Sequence, residues 1–204
     1  MSDEIDPWVV VDGEVDISTQ PEIFENDVVC RKKLVAEGDI NAKGKIVARE
    51  NIIAQKNIYV SQDVFFKSAD CAEEFGVVSK SVEPGTVVVL RDRDLVTSSY
   101  REYDKRVAGV ISGAGQYKPG IILDKKESTE NNVRMPVALM GKVYCKVDAD
   151  YSPIEIGDLL TTSNTEGHAM KSVDPLKSFG SVIGKALSSA EKGKHLIPIL
   201  ITLQ

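Results

Sequence analysis

Between Val28 and Phe66 an aliphatic side chain returns at every sixth residue: Val28, Leu34, Ile40, Ile46, Ile52, Ile58 and Val64. Two places after each stands a second apolar residue, usually small: Cys30, Ala36, Ala42, Ala48, Ala54, Val60 and Phe66. A polar or charged residue precedes each aliphatic (Asp27, Lys33, Asp39, Lys45, Asn51, Asn57 and Asp63), often after a turn former such as Gly38 or Gly44. Six is a multiple of the strand period of two and does not fit the helical 3.6. The pattern therefore predicts short strands, each with a large and then a small inward side chain, joined at polar corners: a hexad β-solenoid or β-prism.

Two windings satisfy this pattern. A single chain coiling as a three-sided solenoid uses about 18 residues per coil, so seven hexads give little more than two coils, and repeat stacks need about three units to bury a continuous core. Three chains winding about one axis each supply every third rung. At about 4.8 Å per strand they make a stalk on the order of 30 Å long, with the aliphatic column inside and every internal strand edge paired. The homotrimer is the favoured winding.

The rest of the 204 residues agrees with an all-β chain: Val, Ile and Thr clusters are punctuated by Gly, Pro, Asp and Asn, and no helical periodicity is sustained. Three segments are expected: an acidic N-terminal arm over 1–27, the hexad stalk over 28–66, and a compact β-rich head over 67–204. Charge follows the same division. Residues 1–27 carry nine acids and no base, 28–66 carry seven bases and four acids, and the remainder balances at eighteen of each. No basic surface is left to displace counterions from phosphates, so nucleic acid is not an expected partner. No apolar run approaches the ~18 residues of a membrane span, and the start Met-Ser-Asp-Glu-Ile-Asp lacks a secretory pattern, which predicts synthesis in the cytoplasm. Cys30, Cys71 and Cys145 have no metal-like spacing and read as buried thiols.

The arm holds the only tryptophan, Trp8, in Pro7-Trp8-Val9-Val10-Val11, followed by Asp12-Gly13 and the alternating Val15 and Ile17. This reads as a small hairpin or an extended arm, with Trp8 an anchor either on a partner or on the chain's own stalk. In the head, strands are predicted over 76–78, 86–90, 106–111, 120–123, 135–147, 158–162, 169–171, 181–187 and 196–203. An exposed mobile loop is predicted over 124–133, and a turn or two of helix around 174–179.

The hexads Gly-Asp-Ile-Asn-Ala-Lys and Gly-Lys-Ile-Val-Ala-Arg resemble repeats that precede the heads of phage tail fibres and tail spikes. Ser68-Ala69-Asp70-Cys71-Ala72-Glu73-Glu74-Phe75 resembles the opening motif of tail-spike C-terminal domains grouped as peptidase G2, intramolecular chaperones that cut themselves off. Arg106 to Gly113, Val137 to Val143, Ile156 to Ser163, Gly167 to Lys171 and Ile183 to Leu187 are similar to bacterial head domains. The resemblance spans 28–204. It implies a head that trimerises and sets the register of the stalk, because near-identical hexads slip by six residues at little cost. It further implies a fibre or spike in a phage tail or phage-tail-like contractile injection particle, joined to other particle proteins through its arm and facing a cell-surface receptor. Self-cleavage near Ser68, with Asp70, Glu73 or Glu74 assisting by proton transfer, is the alternative it carries. Against this, the motif has a cysteine where processed spikes tend to have an aromatic.

Other chemistry finds little footing. His168 and His195 have no second ligand at metal-like spacing and read as surface or packing residues. Gly109, Gly113 and Gly115 are followed by Tyr-Lys-Pro-Gly, not by the helix a phosphate cradle needs. No Gly-x-Ser-x-Gly elbow occurs, and Asp92 with Asp94 and Asp148 with Asp150 read as solvated turn acids. No cofactor, metal or catalytic residue is expected. A stand-alone glycan or ligand-binding module is the remaining alternative, weakened by aromatics that look unclustered.

Overall fold

A computed structural model describes residues 8–11, 14–16, 27–30, 33–35, 40–78, 82–126, 128 and 133–202. The chain divides into two units, Met1–Val60 and Ser61–Gln204.

The first unit contains β1 (Trp8–Val11), β2 (Glu14–Asp16), β3 (Asp27–Cys30) and β4 (Lys33–Val35). β1 pairs in parallel with β3, Trp8 opposite Asp27, and β2 in parallel with β4, Glu14 opposite Lys33. Both pairs join residues nineteen apart, near the ~18 residues per coil of the single-chain winding. The hairpin alternative at Asp12-Gly13 is not formed: the consecutive strands β1 and β2 each pair with a later strand and not with one another. Parallel pairing requires the long crossover that a tight turn does not supply.

From Ile40 the chain runs as short segments of no regular secondary structure, separated by bends at Lys43-Gly44, Arg49-Glu50 and Gln55-Lys56. The same interval continues at the start of the second unit, with bends at Ser61-Gln62 and Lys67-Ser68. The corners thus fall every six residues, as the sequence pattern requires, and include the turn former Gly44. Residues 40–68 are all exposed and join no strand of either unit.

The rest of the second unit is all-β apart from one helical turn. Its strands are β5 (Asp70–Val77), β6 (Val87–Asp92), β7 (Leu95–Ser98), β8 (Val107–Ile111), β9 (Pro119–Leu123), β10 (Arg134–Asp148), β11 (Leu159–Thr162), β12 (Ala169–Lys171), β13 (Val182–Ala186) and β14 (Lys194–Thr202). The helix α1 (Pro175–Ser178) is capped by Asp174, whose carboxylate accepts from the backbone N–H of Leu176 and Lys177. Pro175 opens it, where a missing N–H costs nothing.

The fifteen-residue strand β10 organises this unit. Its first part pairs with β8 and β5, and its second part with β14 and β12. Following the pairings from β10 through β8, β6, β7 and β5 returns to β10; following them through β14, β13, β11 and β12 also returns to β10. Two five-stranded closed rings therefore share one strand, and β9 adds to β5 alone. Closure removes the open edges that a flat ten-stranded sheet would expose.

Each ring has its own core. Val87, Val110 and Ala138 belong to one, with Val143, Cys145, Val147, Leu160, Ile183, Ile199 and Ile201. Their immediate neighbours Val88, Ile111 and Val137 belong to the other, with Val96 and Ala108. Strands β6, β8 and β10 thus send alternate side chains to opposite cores, which explains why they read as continuous apolar runs. In β10 a bulge at Leu139 shifts the register between Ala138 and Met140. The extra residue reverses the parity, so Val143, Cys145 and Val147 face the core that Ala138 faced before it.

Candidate functional site

Two features stand out: the apolar ladder of residues 40–66, and the neck that follows it. In the ladder, Ile40, Ile46, Ile52, Ile58 and Val64 are all largely exposed, Ile46 at 69%. Ala42, Ala48 and Ala54 are exposed beside them. Val28 and Leu34 lie on strands β3 and β4 but their side chains, with all of Ala36, fall outside the described residues, as does the side chain of Trp8 on β1. A second apolar column escaped the sequence reading. Val47, Ile53, Tyr59 and Phe65, each one place after a ladder residue, are 81 to 90% exposed.

The neck residues fold into β5. Its burial alternates, with Asp70, Ala72, Glu74 and Gly76 turned inward, Glu73 on the opposite, half-buried face, and Ser68 exposed. The expected head motif is therefore split three ways. Asp70 is 5% exposed and its Oδ2 accepts from Ser112 Oγ at 2.8 Å, while Oδ1 is buried without a partner. Burial raises the Asp70 carboxyl above its ordinary range, and the Ser112 bond offsets this in part. Glu74 belongs to a different cluster, around Arg134: Arg134 Nη1 lies 2.7 Å from Asp94 Oδ2, Nη2 lies 3.1 Å from Asp124 Oδ2, and Nε lies 3.9 Å from Glu74 Oε2.

Phe66, Ser68, Asp70, Cys71, Ile121 and Met140 are among the residues lining a neck cavity of about 180 Å³. The backbone is tight here. Gly141 has φ +105°, and a Cβ on it would stand 2.5 Å from the Ala69 carbonyl oxygen and 2.9 Å from the Asp70 Cα. Gly141→Ala is accordingly expected to lower stability by about 2–4 kcal/mol, read as an earlier urea midpoint, through strain at positive φ plus displacement of β5.

Several separate readings change in the folded chain. Asp148 is not a solvated turn acid: it is buried and accepts from Thr165 Oγ1 at 2.7 Å and from the Asp150 N–H at 3.0 Å. Asp94 does sit in a turn and is 48% exposed, but it is paired with Arg134. Instead of opening a wholly mobile loop, Asp124 is tied to Arg134, and the Lys126 N–H donates to Glu74. Residues 127 and 129–132 lie outside the described residues. Cys145 is a buried thiol whose pKa burial pushes well up, but Cys71 is only half-buried. Tyr117 packs on Tyr144 at 5.2 Å between ring centroids, and Tyr103 and Tyr151 line one cavity of about 270 Å³. His168 and His195 line another. Apart from the Asp150–Asp148 bond, these pairings have no local signal, because each joins residues from separate strands or turns.

No helix among the described residues is long and apolar enough to cross a membrane. No group of three or more His, Cys, Asp or Glu among them is placed to hold a metal ion.

No family model and no curated protein matches the chain. Among solved structures it is similar to the C-terminal fragment of bacteriophage phi29 gene product 12, at 16% identity and a TM-score of 0.40, over 65% of this chain and the whole of that fragment.

Proposed function

We propose that the chain is a structural protein, a homotrimeric stalk-and-head component of a phage tail or phage-tail-like contractile injection particle. The observation that carries this reading is the ladder: bends recur every six residues, and Ile46, Ile52 and Ile58, each following one, are left exposed in the single chain. Wound with two further copies, the column becomes a shared core stabilised by roughly 25 cal/mol per Å² of apolar surface buried. The head aligns the three chains, the N-terminal segment around Trp8 joins other particle proteins, and the head meets a cell-surface receptor. The particle setting rests on the resemblance of the hexads and of residues 68–75 to tail fibres and spikes. Light scattering on the full chain is expected to give about three times 22.3 kDa. A mass of one chain at micromolar concentration overturns the reading.

Self-cleavage is the second reading, and Asp70 favours it: a buried carboxyl that keeps its proton to a higher pH than usual suits proton transfer to the adjoining backbone. Asp70 is nonetheless already bonded to Ser112, and Ser68 is turned to solvent. Intact-mass measurement on fresh protein is expected to show one species at 22.3 kDa. Two fragments meeting between residues 68 and 74 would establish cleavage.

A further inference from the structure

Both histidines of the chain stand in one cleft of about 440 Å³, together with Lys146, Lys194, Glu83 and Leu196. They arrive from separate places. Lys146 is on β10, Lys194 and His195 are on β14, His168 precedes β12, and Glu83 precedes β6. Strand register brings them together, since Val147 of β10 faces both His195 and Ala169, the neighbour of His168.

Each ring is fixed by a backbone carbonyl. His168 Nδ1–H donates to the Glu166 oxygen at 2.7 Å, and His195 Nε2–H donates to the Lys192 oxygen at 2.7 Å. A carbonyl only accepts, so the tautomers are set, and the other ring nitrogens have no hydrogen bond among the described residues. Protonation adds an N–H donor at each free nitrogen without breaking an existing bond. Of the nearby acids, Glu83 is bonded to Lys146 at 2.5 Å, and Asp148 is bonded to Thr165 and Asp150. Lys194 makes no ion pair among the described residues and gives the cleft a spare positive charge. Two ammonium groups disfavour a metal cation, and the apolar wall at Leu196 suits the body of a small organic ligand.

We propose that this cleft binds an oxyanion, carried by an acidic sugar or free in solution, and does so more tightly at acid pH. Isothermal titration of the full chain with inorganic sulfate, a glucuronate disaccharide and a neutral glucose disaccharide separates the sources, since both anions keep their charge from pH 7.5 to 5.5. Binding of the glucuronate sugar alone identifies an acidic sugar; binding of sulfate, an oxyanion in general. Either affinity is expected to rise at least fivefold at pH 5.5 and to fall at least fivefold in Lys194→Gln. Ring ¹⁵N shifts of the two histidines are expected to show the two different tautomers and to move on binding. Binding of neither anion, equal binding of the neutral sugar, or affinity unchanged in Lys194→Gln with the melting temperature preserved overturns the proposal.

Discussion

Ile46→Asp is expected to reduce the particle from about three chains to one on size exclusion with light scattering, while the melting of the head stays where it was. The contrast is what makes the result informative. In a single chain Ile46 is 69% exposed, so a carboxylate there remains in water and costs almost nothing. In the proposed trimer three carboxylates are brought together beside the axis. Each loses its hydration, at several kcal/mol, and none has a cation within the column. The loss of three isoleucines from the shared core adds to this, for a total on the order of 10 kcal/mol per trimer. A carboxylate placed at a corner instead, Gln55→Asp, is expected to leave the mass unchanged. An Ile46→Asp protein that elutes like the wild type rules out a core built on the ladder.

A shared ladder explains winding and leaves alignment open. Slipping one chain by six residues exchanges Ile46 for Ile52 and Ala48 for Ala54, which is nearly neutral. Discrimination has to come from something that does not repeat, and the ring-shaped head, with two separate cores, has no six-residue symmetry. The exposed residues Val47, Ile53, Tyr59 and Phe65 differ more from one another than the ladder residues do.

What the sequence discloses here depends on how local the cause is. The corners of the ladder repeat a local pattern and fall where the period puts them. Strands β8 to β14 lie within two residues of their expected limits, because the apolar runs that make them are bounded by polar and turn-forming residues. The helical turn follows from Asp174-Pro175. By contrast, the first six residues of β5, Asp-Cys-Ala-Glu-Glu-Phe, look like a turn, since strands seldom bury acids. They form a strand with partners some forty to sixty residues away: Ser112 donates to one carboxylate oxygen of Asp70, and Arg134 donates to the Glu74 backbone carbonyl. The four-residue β7 was missed because it is short and held between β5 and β6. Ring closure through β10 and the meeting of the two histidines are consequences of long-range pairing alone.

Arg134 shows how much rests on such distant partners. Its side chain is 3% exposed, and it ties β5, the β6–β7 turn and the end of β9 through Glu74, Asp94 and Asp124. Arg134→Met keeps most of the volume and removes the cation that the three carboxylates share, leaving Asp124 its ion pair with Lys126 Nζ at 2.7 Å. Glu74 is buried and keeps only the Lys126 N–H, whereas Asp94 and Asp124 are 48% and 38% exposed and stay hydrated. The cost is therefore expected at about 3 kcal/mol, the low end for breaking a buried ion pair, and is read from urea unfolding of the head. Acid supplies the check. The hydrogen bond from Arg134 holds the Asp94 carboxyl below its ordinary value. A carboxylate with a depressed folded pKa gives stability that is complete above its unfolded value near 3.8 and is lost as pH falls through the folded one. The gap between wild type and Arg134→Met is expected to be widest at neutral pH and to narrow below about pH 4. A gap that stays constant down to pH 2 would mean that Arg134 acts by packing alone.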